Sequence, residues 1–141
     1  MKLTKLTPNF AVKDIRKTVS YYQDILGFTV LMAVPEDKSG IDNELDGNKT
    51  YIYAMMDRDG VDLQFQRSDS IGEDIPPLKD VEQGASVSFY MGVEGIDEFY
   101  QNIRSKVDVV VDLKTTWYGM KEFYIRDCNG YILAFAENSN E

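Results

Sequence analysis

Residues 57–67, DRDGVDLQFQR, return at 127–137 as DCNGYILAFAE, with Asp57/Asp127, Gly60/Gly130, Leu63/Leu133 and Phe65/Phe135 at one constant offset. A turn and strand written twice mark a duplicated supersecondary unit, in which neither copy can bury both faces of its small sheet alone. Side chains along a strand alternate between faces. Leu63, Phe65, Leu133 and Phe135 therefore share a packing face, assigned to the space beneath a helix. The opposite face carries Asp62, Gln64 and Gln66 in the first copy, and Ile132, Ala134 and Ala136 in the second. The copies agree where they pack and diverge on the other side, which is where function is to be sought.

The rest of the chain fits two β-α-β-β-β modules, an α+β fold. Residues 6–13 read as a strand, and Asp14 as a helix N-cap. Ile15, Val19, Tyr22 and Leu26 form one apolar helical stripe, closed by Gly27. Strands follow over 28–36, 49–57 and 61–67, the last two as a hairpin around RDG. Residues 69–84, with a Pro-Pro pair and little periodicity, read as a linker between module one (1–68) and module two (85–138). The second copy gives a strand over 85–93, a helical stripe of Ile96, Phe99, Tyr100 and Ile103, and strands over 107–117, 120–127 and 131–138.

A content of 43% hydrophobic and 12% aromatic residues is that of a globular chain. No apolar run spans a bilayer, and MKLTKLTPNF lacks a signal-peptide pattern, so a soluble, unprocessed, cytoplasmic protein without a membrane partner is expected. The net charge of −9 argues against nucleic acid as a partner and is compatible with a cationic ligand. With one cysteine and no histidine, Cys128 has no imidazole to activate it, and neither have Ser20, Ser86 or Ser88. The acids of DNELDG (42–47) half-match a calcium loop, but the twelfth position is Tyr53, so a solvated loop is expected. No catalytic residue is assigned.

Three features resemble the vicinal oxygen chelate superfamily of glyoxalases, ring-cleaving dioxygenases, and fosfomycin and bleomycin resistance proteins. VKDIRKTVSYYQDILGF (12–28) is similar to its opening helix. YGMKEFYIRDCNGYILAFAE (118–137) is similar to its closing hairpin, and the duplication covers nearly the whole chain. The hairpin, with Trp117 before it, looks most like the bleomycin resistance branch. The resemblance implies sheets curled into cup-shaped half-barrels. It further implies a homodimer with ligand crevices at the subunit interface, sometimes with an exchanged N-terminal strand.

Enzymes of this superfamily hold a divalent ion with four ligands, and the motifs place those positions at Thr7, Gln64, Ser88 and Ala134. Alanine has no donor atom, and an amide with two hydroxyls suits a transition metal poorly. No cofactor and no metal ligand are therefore expected, which removes Lewis-acid chemistry of the glyoxalase type. Alternation places Asn9, Ala11, Gln64, Ser88, Tyr90, Glu122, Tyr124, Arg126, Ala134 and Ala136 on the cup side. Their strand-three partners there are taken as Ile52, Ala54 and Met56. Trp117 and Tyr118 are expected at the mouth. Small residues on a floor with aromatics at a rim describe a cavity for a planar or elongated organic molecule, including a cationic one. The candidate ligand-binding set is Asn9, Gln64, Ser88, Tyr90, Trp117, Tyr118, Glu122 and Tyr124. The leading expectation is a metal-free binding protein that sequesters such a ligand, resistance-like in kind. The alternatives are a glyoxalase-related lyase, isomerase or dioxygenase with an atypical site, and an interaction module whose cup is collapsed.

Overall fold

Asp14 turns the chain from strand to helix. Its backbone is extended, and its side chain accepts from the Lys17 amide at 3.0 Å, satisfying one of the orphan N–H groups of the helix start. The strand before it is Asn9–Val12 (β1) and the helix is Ile15–Asp24 (α1). These belong to the computed structural model of the chain, which describes residues 1–84 and 86–139. The chain divides into two compact units, Met1–Val81 and Glu82–Glu141. Ala85, the first residue of a predicted strand, lies outside the described residues.

In the first unit α1 is followed by β2 (Thr29–Pro35), β3 (Tyr51–Arg58) and β4 (Val61–Arg67). The sheet order is β1-β4-β3-β2, with β1 parallel to β4 and the other pairs antiparallel. Ile15, Val19, Tyr22 and Leu26 are all buried, as the stripe requires. Tyr22 meets Phe65 at 4.7 Å between ring centroids, and Phe65 stacks on Phe10 at 5.4 Å. Gly27 (φ +76) releases the chain from the helix, and the Arg58 guanidinium donates to the Leu26 carbonyl.

The second unit repeats the plan with β5 (Ser88–Gly92), α3 (Ile96–Ile103), β6 (Asp108–Thr115), β7 (Met120–Arg126) and β8 (Ile132–Asn138). Its sheet order is β5-β8-β7-β6. Phe123, Ile125, Leu133 and Phe135 pack beneath α3 with Ile96, Tyr100 and Ile103. No side chain of α3 caps its start. The Glu137 carboxylate from β8 does so, accepting from the Gly95 and Ile96 amides at 3.0 and 3.1 Å.

Two expectations need correction. Ile52, Ala54 and Met56 are buried on the helix side, because Ala54 pairs with Phe65 and Met56 with Leu63. The cause is the length of the turns. Between β3 and β4 the turn is two residues, Asp59 (φ 52) and Gly60 (φ +85), with Arg58 paired to Val61. Both are left-handed, as the hairpin turn that matches strand twist demands. Between β7 and β8 the loop has one more residue. Cys128 to Gly130 lie between Asp127, whose amide donates to Tyr131, and Tyr131 itself. One residue shifts the register by one and inverts every side chain of β3 relative to β7. Tyr53, Met55 and Asp57 therefore face the same way as Gln66, Gln64 and Asp62.

The second correction concerns the stretch expected as a linker. Ser68–Asp74 forms a helix, α2, and Pro76–Leu78 a short 3₁₀ turn. A helix with only Ile71 as its buried apolar side chain has no stripe to betray it. Packing and polar contacts hold α2 instead, as described below. Among the described residues, no helix is long and apolar enough to cross a membrane.

Candidate functional site

On the face of the second sheet away from α3, the central strand β8 presents Ala134 and Ala136. The flanking strands place Tyr90 and Tyr124 beside Ala134, and Gly92 and Glu122 beside Ala136. Tyr90 and Glu122 thus sit on either side of β8, about 9–10 Å apart by strand spacing. Methyl groups between them leave the Tyr90 side chain free to cross β8. Its hydroxyl donates to Glu122 Oε2. The Tyr118 hydroxyl donates to Glu122 Oε1 at 2.7 Å. Each carboxylate oxygen therefore accepts from one phenol.

The turn after β6 positions Tyr118. The Thr116 amide donates to the Met120 carbonyl at 2.8 Å, and the Gly119 amide to the Thr116 carbonyl at 3.1 Å. Gly119 adopts φ +83, which closes the turn with Trp117 and Tyr118 at its tip. The Trp117 ring lies edge-on to Tyr118, centroids 5.2 Å apart at 90°.

Glu122 is 2% exposed, whereas Tyr90 and Tyr118 are 53% and 51% exposed and Trp117 95%. The carboxylate lies below and the rings lie on top. Ala134 and Ala136 are buried at 0% and 1%, so they are not the open floor expected from the sequence. Tyr90, Tyr118 and Trp117 offer their rings to solvent here. The hydrogen bond to Glu122, followed by desolvation, raises the Tyr90 phenol far above the ordinary tyrosine range. The same two causes raise Tyr118. Among the described residues no cation pairs with Glu122: Lys114, its cross-strand partner in β6, is exposed and makes no ion pair with it. Ser88 is on the same face beside Ile132, exposed and outside the hydrogen-bonded group.

Asn9 and Gln64 pair in register in the first unit. Asn9 Nδ2 donates to Gln66 Oε1 at 2.9 Å. Gln66 Nε2 donates to Ser70 Oγ at 2.9 Å and to Asp74 Oδ2 at 2.8 Å. Both N–H groups of the Gln66 amide are used, and the network ties α2 to its own sheet. Asn9 thus has a structural partner. Sequence reasoning missed the network, although Ser70 and Asp74, four residues apart on one helix face, carried a trace of it.

The implied metal ligands do not fit an ion. Ala134 is a buried methyl, Gln64 a neutral amide, and Thr7 and Ser88 are hydroxyls. Register places Asn9 beside Gln64 and Tyr90 beside Ala134, which adds another amide and a phenol rather than imidazole or carboxylate. Among the described residues, no group of three or more histidine, cysteine or acidic side chains is arranged to hold a metal ion.

A concavity of about 240 Å³ lies at the start of α1, lined by Lys13, Arg16, Lys49 and Arg67 among others. Three of these four cations are used internally. Lys49 pairs with Asp42 at 3.0 Å, Arg67 with Asp69 at 2.7 Å, and Arg16 donates to the Asp46 and Lys49 carbonyls. This cluster ties the polar loop before β3 to the helix.

Comparison with known proteins agrees with this architecture. A protein of unknown function from Agrobacterium tumefaciens str. C58 superposes with TM-score 0.72 at 20% identity, covering 97% of this chain and 95% of that one. TioX from Micromonospora sp. ML1 gives 0.69 at 18%, covering 96% and 98%. A glyoxalase/bleomycin resistance protein/dioxygenase from Nocardioides gives 0.70 at 17%, covering 97% and 85%. At these identities the likeness is one of fold. No curated protein sequence matches the chain. Residues 6–135 match the family described as Glyoxalase/Bleomycin resistance protein/Dioxygenase superfamily, and the chain belongs to that superfamily.

Proposed function

We propose that this protein binds and sequesters a planar or cationic organic molecule without a metal, as a homodimer of the bleomycin resistance-like kind. The observation that carries this reading is the Glu122 carboxylate, 2% exposed, held by two phenols and matched by no cation of its own unit. A buried carboxylate is costly unless a positive charge is supplied. The half-exposed rings above it and the exposed Trp117 give a cation a surface on which to stack. The same exposure of Trp117 supports a crevice completed by a second copy, because a large ring left in water gains most from being covered.

Ethidium, a planar cation, tests the reading. It is expected to quench the single tryptophan saturably, and Trp117→Ala is expected to weaken binding, measured by calorimetry, by about tenfold or more. Absence of any saturable interaction with ethidium would overturn the proposal.

A further inference from the structure

We infer that the site selects a fully alkylated ammonium, a cation with no N–H to donate, over a primary ammonium of equal charge. This rests on the cation-binding reading above. A carboxylate ordinarily recognises an ammonium by accepting its N–H bonds. Glu122 is arranged against that. One oxygen accepts from Tyr90 and the other from Tyr118, and the group is 2% exposed. A donor arriving from solvent finds the carboxylate shut beneath two rings.

The placement of Lys114 accords with this. Lys114 is the cross-strand partner of Glu122, carries a primary ammonium on a flexible stem, and makes no ion pair with it. Other ion pairs of the same unit form readily, Lys121 with Asp97 at 2.8 Å and Arg126 with Asp108 at 3.0 Å.

What reaches the surface is the field of the buried charge together with the faces of the rings. A phenol that donates a hydrogen bond to a carboxylate becomes richer in π-electron density, so Tyr90 and Tyr118 attract cations more strongly than free tyrosines do. A quaternary ammonium needs no acceptor, spreads its charge over its alkyl groups and sheds water easily. A primary ammonium would give up strong hydration and reach no carboxylate lone pair of Glu122 in return.

The test compares benzyltrimethylammonium with benzylammonium at pH 7, where both are cations, by calorimetry on the intact protein. The quaternary probe is expected to bind at least about tenfold more tightly. Tyr118→Phe keeps the ring but removes the donor to Glu122 Oε1 and the bond that pins the ring over it. There benzylammonium should gain affinity and the preference should shrink to about threefold or reverse. Glu122→Gln should weaken both probes, and Tyr118→Phe carries the test where the glutamine variant does not fold. Equal or tighter binding of benzylammonium to the unaltered protein overturns the inference, as does a preference unchanged in Tyr118→Phe. If ethidium binds and neither small probe does, this inference falls while sequestration stands. If ethidium fails too, both fall.

Discussion

Glu122 is unusual less for being buried than for what satisfies it. Two phenols in place of an arginine or lysine leave the negative charge uncancelled, while meeting the hydrogen-bond requirement of a carboxylate. The arrangement has a pH signature. Tyr90 and Tyr118 are both raised, first by the bond to Glu122. A raised tyrosine favours the protonated form in the folded state. Its contribution to stability is therefore complete below the ordinary tyrosine pKa, about 10, and is lost as pH rises through the higher folded value. Absorbance at 295 nm should show two tyrosines titrating later than in Glu122→Gln, and coincident curves for the two proteins would refute the assignment. Alternation alone had placed Tyr90, Glu122 and Tyr124 on one face, which the register bears out. That Tyr90 and Tyr118 converge on Glu122 was not legible. It depends on a turn whose tip returns beside β7 and on alanines low enough to be crossed, neither of which periodicity encodes.

Among the elements, the repeat was legible because it is written in turn residues and packing residues, the positions where physics allows least substitution. Among the described residues, both helices with an apolar stripe and all eight strands were legible for the same reason. The error on β3 came from trusting the repeat one step too far. Constant spacing along β4 and β8 does not guarantee constant pairing with the preceding strand, because the turn length sets that pairing. The short turn is accordingly sensitive. Gly60 at φ +85 is expected to resist a β-branched side chain, and Gly60→Val should cost about 1–2 kcal/mol in urea unfolding. A cost near zero would mean the turn had found another geometry. Helix α2 escaped notice for the opposite reason, since a single buried isoleucine and one polar network fix it.

For the whole molecule, a net charge of −9 favours the approach of a cation and predicts that ethidium affinity falls as salt rises, through screening of the long-range field. The proposed homodimer is expected in sedimentation velocity at micromolar concentration, and a monomer with undiminished ethidium binding would remove the interface from the site. The turn between β3 and β4 carries one more lesson, for engineering. Anyone wishing to build a second carboxylate–phenol site in the first unit would naturally copy Glu122 to the residue at the same sequence offset, Ile52, and would thereby plant a charge in the core. Strand pairing names the proper recipient as Tyr53, opposite Gln66, with Met55 standing where the second unit has Tyr124. A graft between the two copies must be drafted from their hydrogen-bond ladders, because the ruler of sequence reads one residue out.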